Sequence, residues 1–178
     1  EAQHPWMDEG FTSYAGDFVM DSIWPSFTPF KRSYQGYFGL VKSGKQEPLT
    51  THADHYQTNR AYGTASYSMG LIFLHQLSSI VGQETFMKIM KRYFNEWKYK
   101  HPTPNDFIRI AEKESSMELS WYLEQWVETT NTIDYGIKWL EERDGESILT
   151  LEKKGETPMP IDVKITFKGG KEKWVNIP

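Results

Sequence analysis

The chain has 178 residues, a net charge of −4, no cysteine, and an aromatic content of 15%. So many aromatics exclude a disordered segment, the mild acidity carries no basic footprint for nucleic acid, and the missing thiols exclude a disulfide framework and any thiolate metal site. No apolar run approaches the ~20 residues of a membrane span, and the opening residues do not read as a signal peptide.

In chain order, residues 5–23 predict a helix. Pro5 suits a first turn, and Phe11, Tyr14, Ala15, Phe18 and Val19 follow helical spacing, with Glu9, Ser13 and Gly16 on another side. Pro25 ends it. A short helix is expected over Phe30 to Val41, broken by Ser43-Gly44-Lys45, and residues 46–58 read as a loop. Residues 64–81 predict a helix whose Leu71-Ile72-Phe73-Leu74 run is apolar all round, which marks it as buried. Gly82 is placed to stop it. A helix over 83–98 carries Phe86, Ile89, Met90, Tyr93, Phe94 and Trp97 on one stripe. Thr103-Pro104-Asn105-Asp106 then supplies an N-cap, a first-turn proline and an acidic third position for another helix. Leu119, Tyr122, Leu123 and Trp126 mark a last helix over about 119–128.

The period changes after residue 131. Ile133, Tyr135, Ile137 and Trp139 alternate, Asp144-Gly145 is a hairpin turn signal, and Ile148 to Leu151 reads as a returning strand. Ile161, Val163, Ile165 and Phe167 alternate most cleanly, and Gly169-Gly170 turns the chain into a strand around Trp174 to Ile177. The expected fold class is therefore α+β: a helical domain over residues 1–130, then a small antiparallel β domain over residues 131–178.

Two side chains stand out for chemistry. Glu9 sits in the first turn of a helix, between Trp6 and Phe11. Alone, such a Glu offsets the helix dipole by ~0.3–1 kcal/mol. It is also a residue type that completes a catalytic zinc site of three protein ligands and water. The next residue, Gly10, costs a helix roughly 1 kcal/mol relative to Ala, a cost accepted where something approaches closely. Tyr67 heads the buried helix. Its phenol either packs there or donates a hydrogen bond to developing negative charge, and Tyr62 competes with it nearby. His52, Asp54 and His55 cluster in a polar loop, but their spacing and the lack of a fourth ligand make them a poor metal site and a better fit to the rim of a cleft. His4, His75 and His101 read as surface or packed residues.

The segment Trp6-Met7-Asp8-Glu9-Gly10-Phe11 resembles the Trp-x-x-Glu-Gly-Phe motif of zinc aminopeptidases of the aminopeptidase N type (gluzincins). Tyr67-Ser68-Met69-Gly70 is similar to the Tyr-x-Lys-Gly segment of that family, with Met69 in place of the usual Lys. Asp106-Phe107 and Leu119-Ser120-Trp121-Tyr122-Leu123-Glu124-Gln125-Trp126 resemble its helical Asp-Phe and Leu-Ser-Trp-Phe-x-x-Gln-Trp segments.

The resemblance implies the helical, bundle-like C-terminal half of a thermolysin-like catalytic domain, followed by a small β domain. It implies hydrolysis of N-terminal residues from peptide substrates, with zinc as cofactor, Glu9 as a zinc ligand and Tyr67 as catalytic oxyanion donor. The family's two His ligands and general-base Glu lie in a His-Glu-x-x-His helix some twenty residues before that Glu. Glu9 has eight residues ahead of it, so the upstream part of the same polypeptide is the expected partner. The isolated chain is expected neither to retain zinc nor to turn over peptides. A non-catalytic scaffold that keeps the aminopeptidase shape for protein binding is the alternative that Met69 permits. A related zinc hydrolase acting on another bond, such as an epoxide, is the third. Compartment, residue preference and oligomeric state are not readable from this sequence.

Overall fold

The computed structural model of the chain describes residues 2–178. It divides into a helical unit that ends at Thr130 and a β unit over Asn131–Pro178.

In the helical unit, α1 (Pro5–Ile23) begins on Pro5 and closes with the Trp24 amide donating to the Met20 carbonyl. Its inner face is Trp6, Gly10 and Tyr14, all buried. α2 (Lys31–Lys42) follows a left-handed Phe30, whose amide donates to the Asp17 carboxylate at 2.7 Å. The side chain thus ties α2 back to α1. The buried helix is longer and less regular than its sequence suggests. A short α3 (Asn59–Gly63), capped by the Thr58 hydroxyl, runs into a π-helical stretch over Thr64–Met69, and only then into α4 (Gly70–Val81). Leu71 to Leu74 are 0–1% exposed, as an all-round apolar helix requires. After Gly82, at φ +81, come α5 (Gln83–Trp97), α6 (Pro104–Ser115) and α7 (Ser120–Val127). Both the amide and the hydroxyl of Thr103 donate to the Asp106 carboxylate at the start of α6, at 2.9 and 2.7 Å. These bonds hold the Asp106 carboxyl below the usual carboxylate range.

The core of this unit is aromatic. Phe73 stands 5.0 Å from both Trp6 and Tyr122, and Phe11 stands 5.0 Å from Phe107. The buried Tyr122 hydroxyl donates to the Phe73 carbonyl at 2.6 Å, fastening α7 to α4. Trp6 and Phe11 therefore pack inward rather than walling Glu9. The apolar stripe of α1 is buried only as far as Tyr14. Phe18 and Val19 are 43% and 50% exposed, so spacing marked an apolar face that the described residues do not cover.

In the β unit, β1 (Tyr135–Arg143) pairs antiparallel with β2 (Glu146–Lys153) across Asp144-Gly145, both at positive φ as a tight hairpin needs. β3 (Ile161–Thr166) pairs with β4 (Glu172–Ile177). The small antiparallel β domain is thus built of two separate two-stranded sheets. The reason lies between β2 and β3. The amides of Lys154 and Gly155 donate to the Asp134 carbonyl, and that of Thr157 to the Thr132 carbonyl. The chain leaving β2 bonds back to the residues before β1 and does not extend the ladder.

Candidate active site

Glu9 lies one turn into α1 and is half-exposed, next to the buried Gly10. Tyr67 lies in the π-helical stretch ahead of α4 and is 45% exposed. Two glycines bring them together. A Cβ on Gly10 would lie 2.5 Å from the Gly70 Cα, and one on Gly70 would lie 2.7 Å from the Trp6 carbonyl oxygen and 2.9 Å from the Gly10 Cα. The two backbones touch, so α1 crosses the head of α4 without intervening side chains. Glu9 precedes one contact glycine and Tyr67 lies one turn before the other.

The π-helical stretch aims the phenol. The Gly70 amide donates to the Ala65 carbonyl, five residues back, so the turn holds one more residue than an α-turn. Ala65, Ser66 and Met69 are buried in it, and Tyr67 is left on the outside. Interaction with the Glu9 carboxylate, hydrogen bonding first, raises the Tyr67 hydroxyl above its ordinary pKa, with lesser contributions from burial and from the Glu9, Tyr62 and Asp8 charges. Tyr67 therefore remains protonated at neutral pH and able to donate. Met69 is 1% exposed, so its side chain turns away from the solvent-facing phenol.

The other sequence candidates have partners of their own. Tyr62 packs edge-on against Tyr56 at 5.6 Å, and burial pushes Tyr56 up to about 12. His52, Asp54 and His55 lie on and beside a short 3-10 turn over Ala53–His55, where the His52 Nδ1 stands 3.8 Å from the Asp54 carboxylate. His75 is half-buried between α2 and α4. Its Nδ1 lies 2.9 Å from the Tyr34 hydroxyl, and its ring 4.3 Å from that of Phe30. Among the described residues, no group of three His, Asp or Glu converges on a point that could hold a metal ion. Glu9 fits a single carboxylate ligand, partly open, and not a complete site.

A groove of about 780 Å³ runs along another side of α1, with Met7, Phe11, Tyr93, Trp97, His101 and Thr103 among its lining residues. Its lining does not include Glu9 or Tyr67. Sequence periodicity placed Tyr93 and Trp97 on one stripe and gave no sign that α5 and α6 leave space beside α1.

The model of the peptidase family M1 domain matches residues 2–126. The chain is 22% identical over 139 residues to aminopeptidase M1-D of Oryza sativa subsp. japonica, covering 76% of this chain and 16% of that protein. It is 26% identical over 180 residues to tricorn protease-interacting factor F2 of Thermoplasma volcanium, covering 93% of this chain and 22% of that protein. Among solved structures, an M1 zinc metallopeptidase from Deinococcus radiodurans bound to a Tyr-Ser-Ala substrate superposes with a TM-score of 0.57 at 19% identity, over 71% of this chain and 28% of the other. That likeness is one of fold. The chain spans about a fifth of the length of these relatives or less.

Proposed function

Because the chain belongs to peptidase family M1, we propose that it forms part of a zinc aminopeptidase in which Glu9 is a metal ligand and Tyr67 the oxyanion donor. The observation that carries this reading is the backbone contact of Gly10 with Gly70, which brings Glu9 and Tyr67 to the place where α1 crosses the head of α4.

Bound zinc would supply Lewis-acid chemistry, polarising a peptide carbonyl and lowering the pKa of water. Glu9 would hold the ion through its carboxylate, with the remaining protein ligands coming from residues outside this sequence. The Tyr67 hydroxyl, kept protonated beside Glu9, would donate a hydrogen bond to the carbonyl oxygen as negative charge develops on it. The surrounding scaffold favours such a donor. Tyr67 is held by a backbone turn between two packed helices and not by a mobile loop, so little reorganisation is needed when charge appears. The substrate class that fits is a peptide with a free N-terminus, as in the aminopeptidases this chain resembles.

The test uses the protein as encoded. Metal analysis of Glu9→Gln should find zinc content reduced at least about tenfold relative to wild type, since ligand loss removes one of three protein contacts. Tyr67→Phe should keep its zinc and lose about 10²–10³ in kcat on an aminoacyl reporter, the scale of one oxyanion donor. Full zinc occupancy in Glu9→Gln would overturn the ligand assignment, and unchanged kcat in Tyr67→Phe the donor assignment. The 178-residue chain alone should bind no zinc tightly by titration calorimetry and should not turn over the reporter.

A further inference from the structure

The two glycines beside the proposed site are in contact with each other, although each belongs to a different sequence motif. Residue 10 follows the carboxylate of one, and residue 70 closes the segment that carries the phenol of the other. Added Cβ atoms at these positions would meet backbone and not the ends of flexible side chains. Gly10 would meet the Cα and carbonyl carbon of Gly70 at 2.5 and 2.6 Å, and Gly70 would meet the Trp6 carbonyl oxygen at 2.7 Å. Neither neighbour can swing aside, so a methyl group at either position must move one helix against the other. Elsewhere in the same unit, Gly16 and Gly63 have open space where a Cβ would stand. The close approach is local to the junction that presents Glu9 and Tyr67.

The π-helical stretch makes that junction unforgiving. Its buried Ala65, Ser66 and Met69 fix the inner face, and a Cβ on Gly36 in α2 would stand 3.3 Å from the Ser68 hydroxyl on its flank. Tyr67 is thus carried on a turn packed against both α1 and α2, so a shift of α1 at Gly10 changes how the carboxylate and the phenol are set against each other.

We propose that Gly10 and Gly70 are a matched pair of positioning residues whose backbone contact sets the separation between the Glu9 carboxylate and the Tyr67 hydroxyl. The proposal rests on the roles given above to Glu9 and Tyr67, but its geometry can be read without metal or turnover. The 178 residues contain no cysteine. Glu9→Cys and Tyr67→Cys can therefore be introduced together into the protein as encoded, with any cysteine beyond these residues changed to Ser. The pair is then bridged with a three-carbon dibromide, and the rate of bridging is measured against that of single alkylation. A second set adds Gly10→Ala, Gly70→Ala or, as a control with open space, Gly63→Ala. Each variant is also melted, followed by tryptophan fluorescence.

The expected result is bridging slowed at least about tenfold by Gly10→Ala and by Gly70→Ala, unchanged by Gly63→Ala, with a cooperative melt retained in all. A displacement near 1 Å is enough to cost a reaction between positioned groups about 10²-fold, so a tenfold change is within reach of one methyl. Bridging that is unchanged in both folded alanine variants overturns the proposal, as does equal slowing in Gly63→Ala. Loss of the cooperative melt in both contact variants also overturns it, because the pair would then be a requirement of folding and not a setting of the site. The failure of the zinc assignment has a separate signature: normal zinc occupancy in Glu9→Gln, whatever the bridging rates are.

Discussion

Tyr122→Phe is the sharpest probe of how the helical unit is held. Tyr122 is 0% exposed, and its hydroxyl donates to the Phe73 carbonyl at 2.6 Å. Phe keeps the ring, so the contact with Phe73 at 5.0 Å survives and only the oxygen is lost. A typical buried hydrogen bond is worth ~0.5–1.5 kcal/mol net, and a carbonyl left with one partner fewer adds a little, giving a loss of about 1–2 kcal/mol. For a protein of this size each kcal/mol lowers Tm by about 2–4 °C, so the midpoint should fall by roughly 2–8 °C. Urea unfolding followed by tryptophan fluorescence gives the free energy directly, and an unchanged m-value shows that only stability has moved. Tyr99→Phe is the matched control, since Tyr99 is fully exposed at 100% and should not shift the midpoint. A Tyr122→Phe loss below about 0.3 kcal/mol would refute the account of α7 fastened to α4 through this bond.

His75 gives a pH dependence. Burial lowers its pKa below the ordinary 6.5, and the Tyr34 hydroxyl, which accepts from the Gln76 amide at 2.6 Å, is free to donate to the neutral imidazole. Below 6.5 the unfolded chain binds a proton that the folded one refuses, so stability is full above 6.5 and falls as pH drops towards the folded value. His4 is lowered by burial as well. The test is therefore the difference between wild type and His75→Phe in urea midpoints from pH 7.5 to 5, which should narrow as pH falls. Gly63→Ala, at φ −64 inside a helix with open space at the Cβ, should raise stability by about 0.5–1 kcal/mol in the same assay. Gly155→Ala should loosen the β unit, because a Cβ there would collide with the Thr132 carbonyl and lie 2.6 Å from the Asp134 amide. A loss of about 1–3 kcal/mol is expected, seen as faster amide exchange across residues 131–178.

Much of this fold is legible in the sequence. Pro5 and Pro25 bracket α1, and the Thr103 to Asp106 cap opens α6 as written, because caps and proline act through local backbone chemistry. The hairpin at Asp144-Gly145 was equally local. Spacing was less reliable for burial. Phe18 and Val19 carry the same periodic signal as Tyr14 and yet stand in the open, since periodicity identifies an apolar face and not what covers it. The π-helical stretch over residues 64–69 was read as ordinary helix, since helical spacing does not distinguish a five-residue backbone bond from a four-residue one. The division into two sheets rests on backbone bonds from residues 154–157 to residues 132–134, which no side-chain alternation encodes.

For the candidate site the division follows the same physics. Sequence alone nominated the side chains proposed to bear the chemistry, since a Glu in one short motif and a Tyr in another are matters of residue type. It also flagged that Gly10 made room for something. Only the tertiary structure decided that this something is Gly70, and that the two motifs meet there. Local signals reach about one helical turn along the chain, whereas the approach of two helices depends on every side chain that is absent between them.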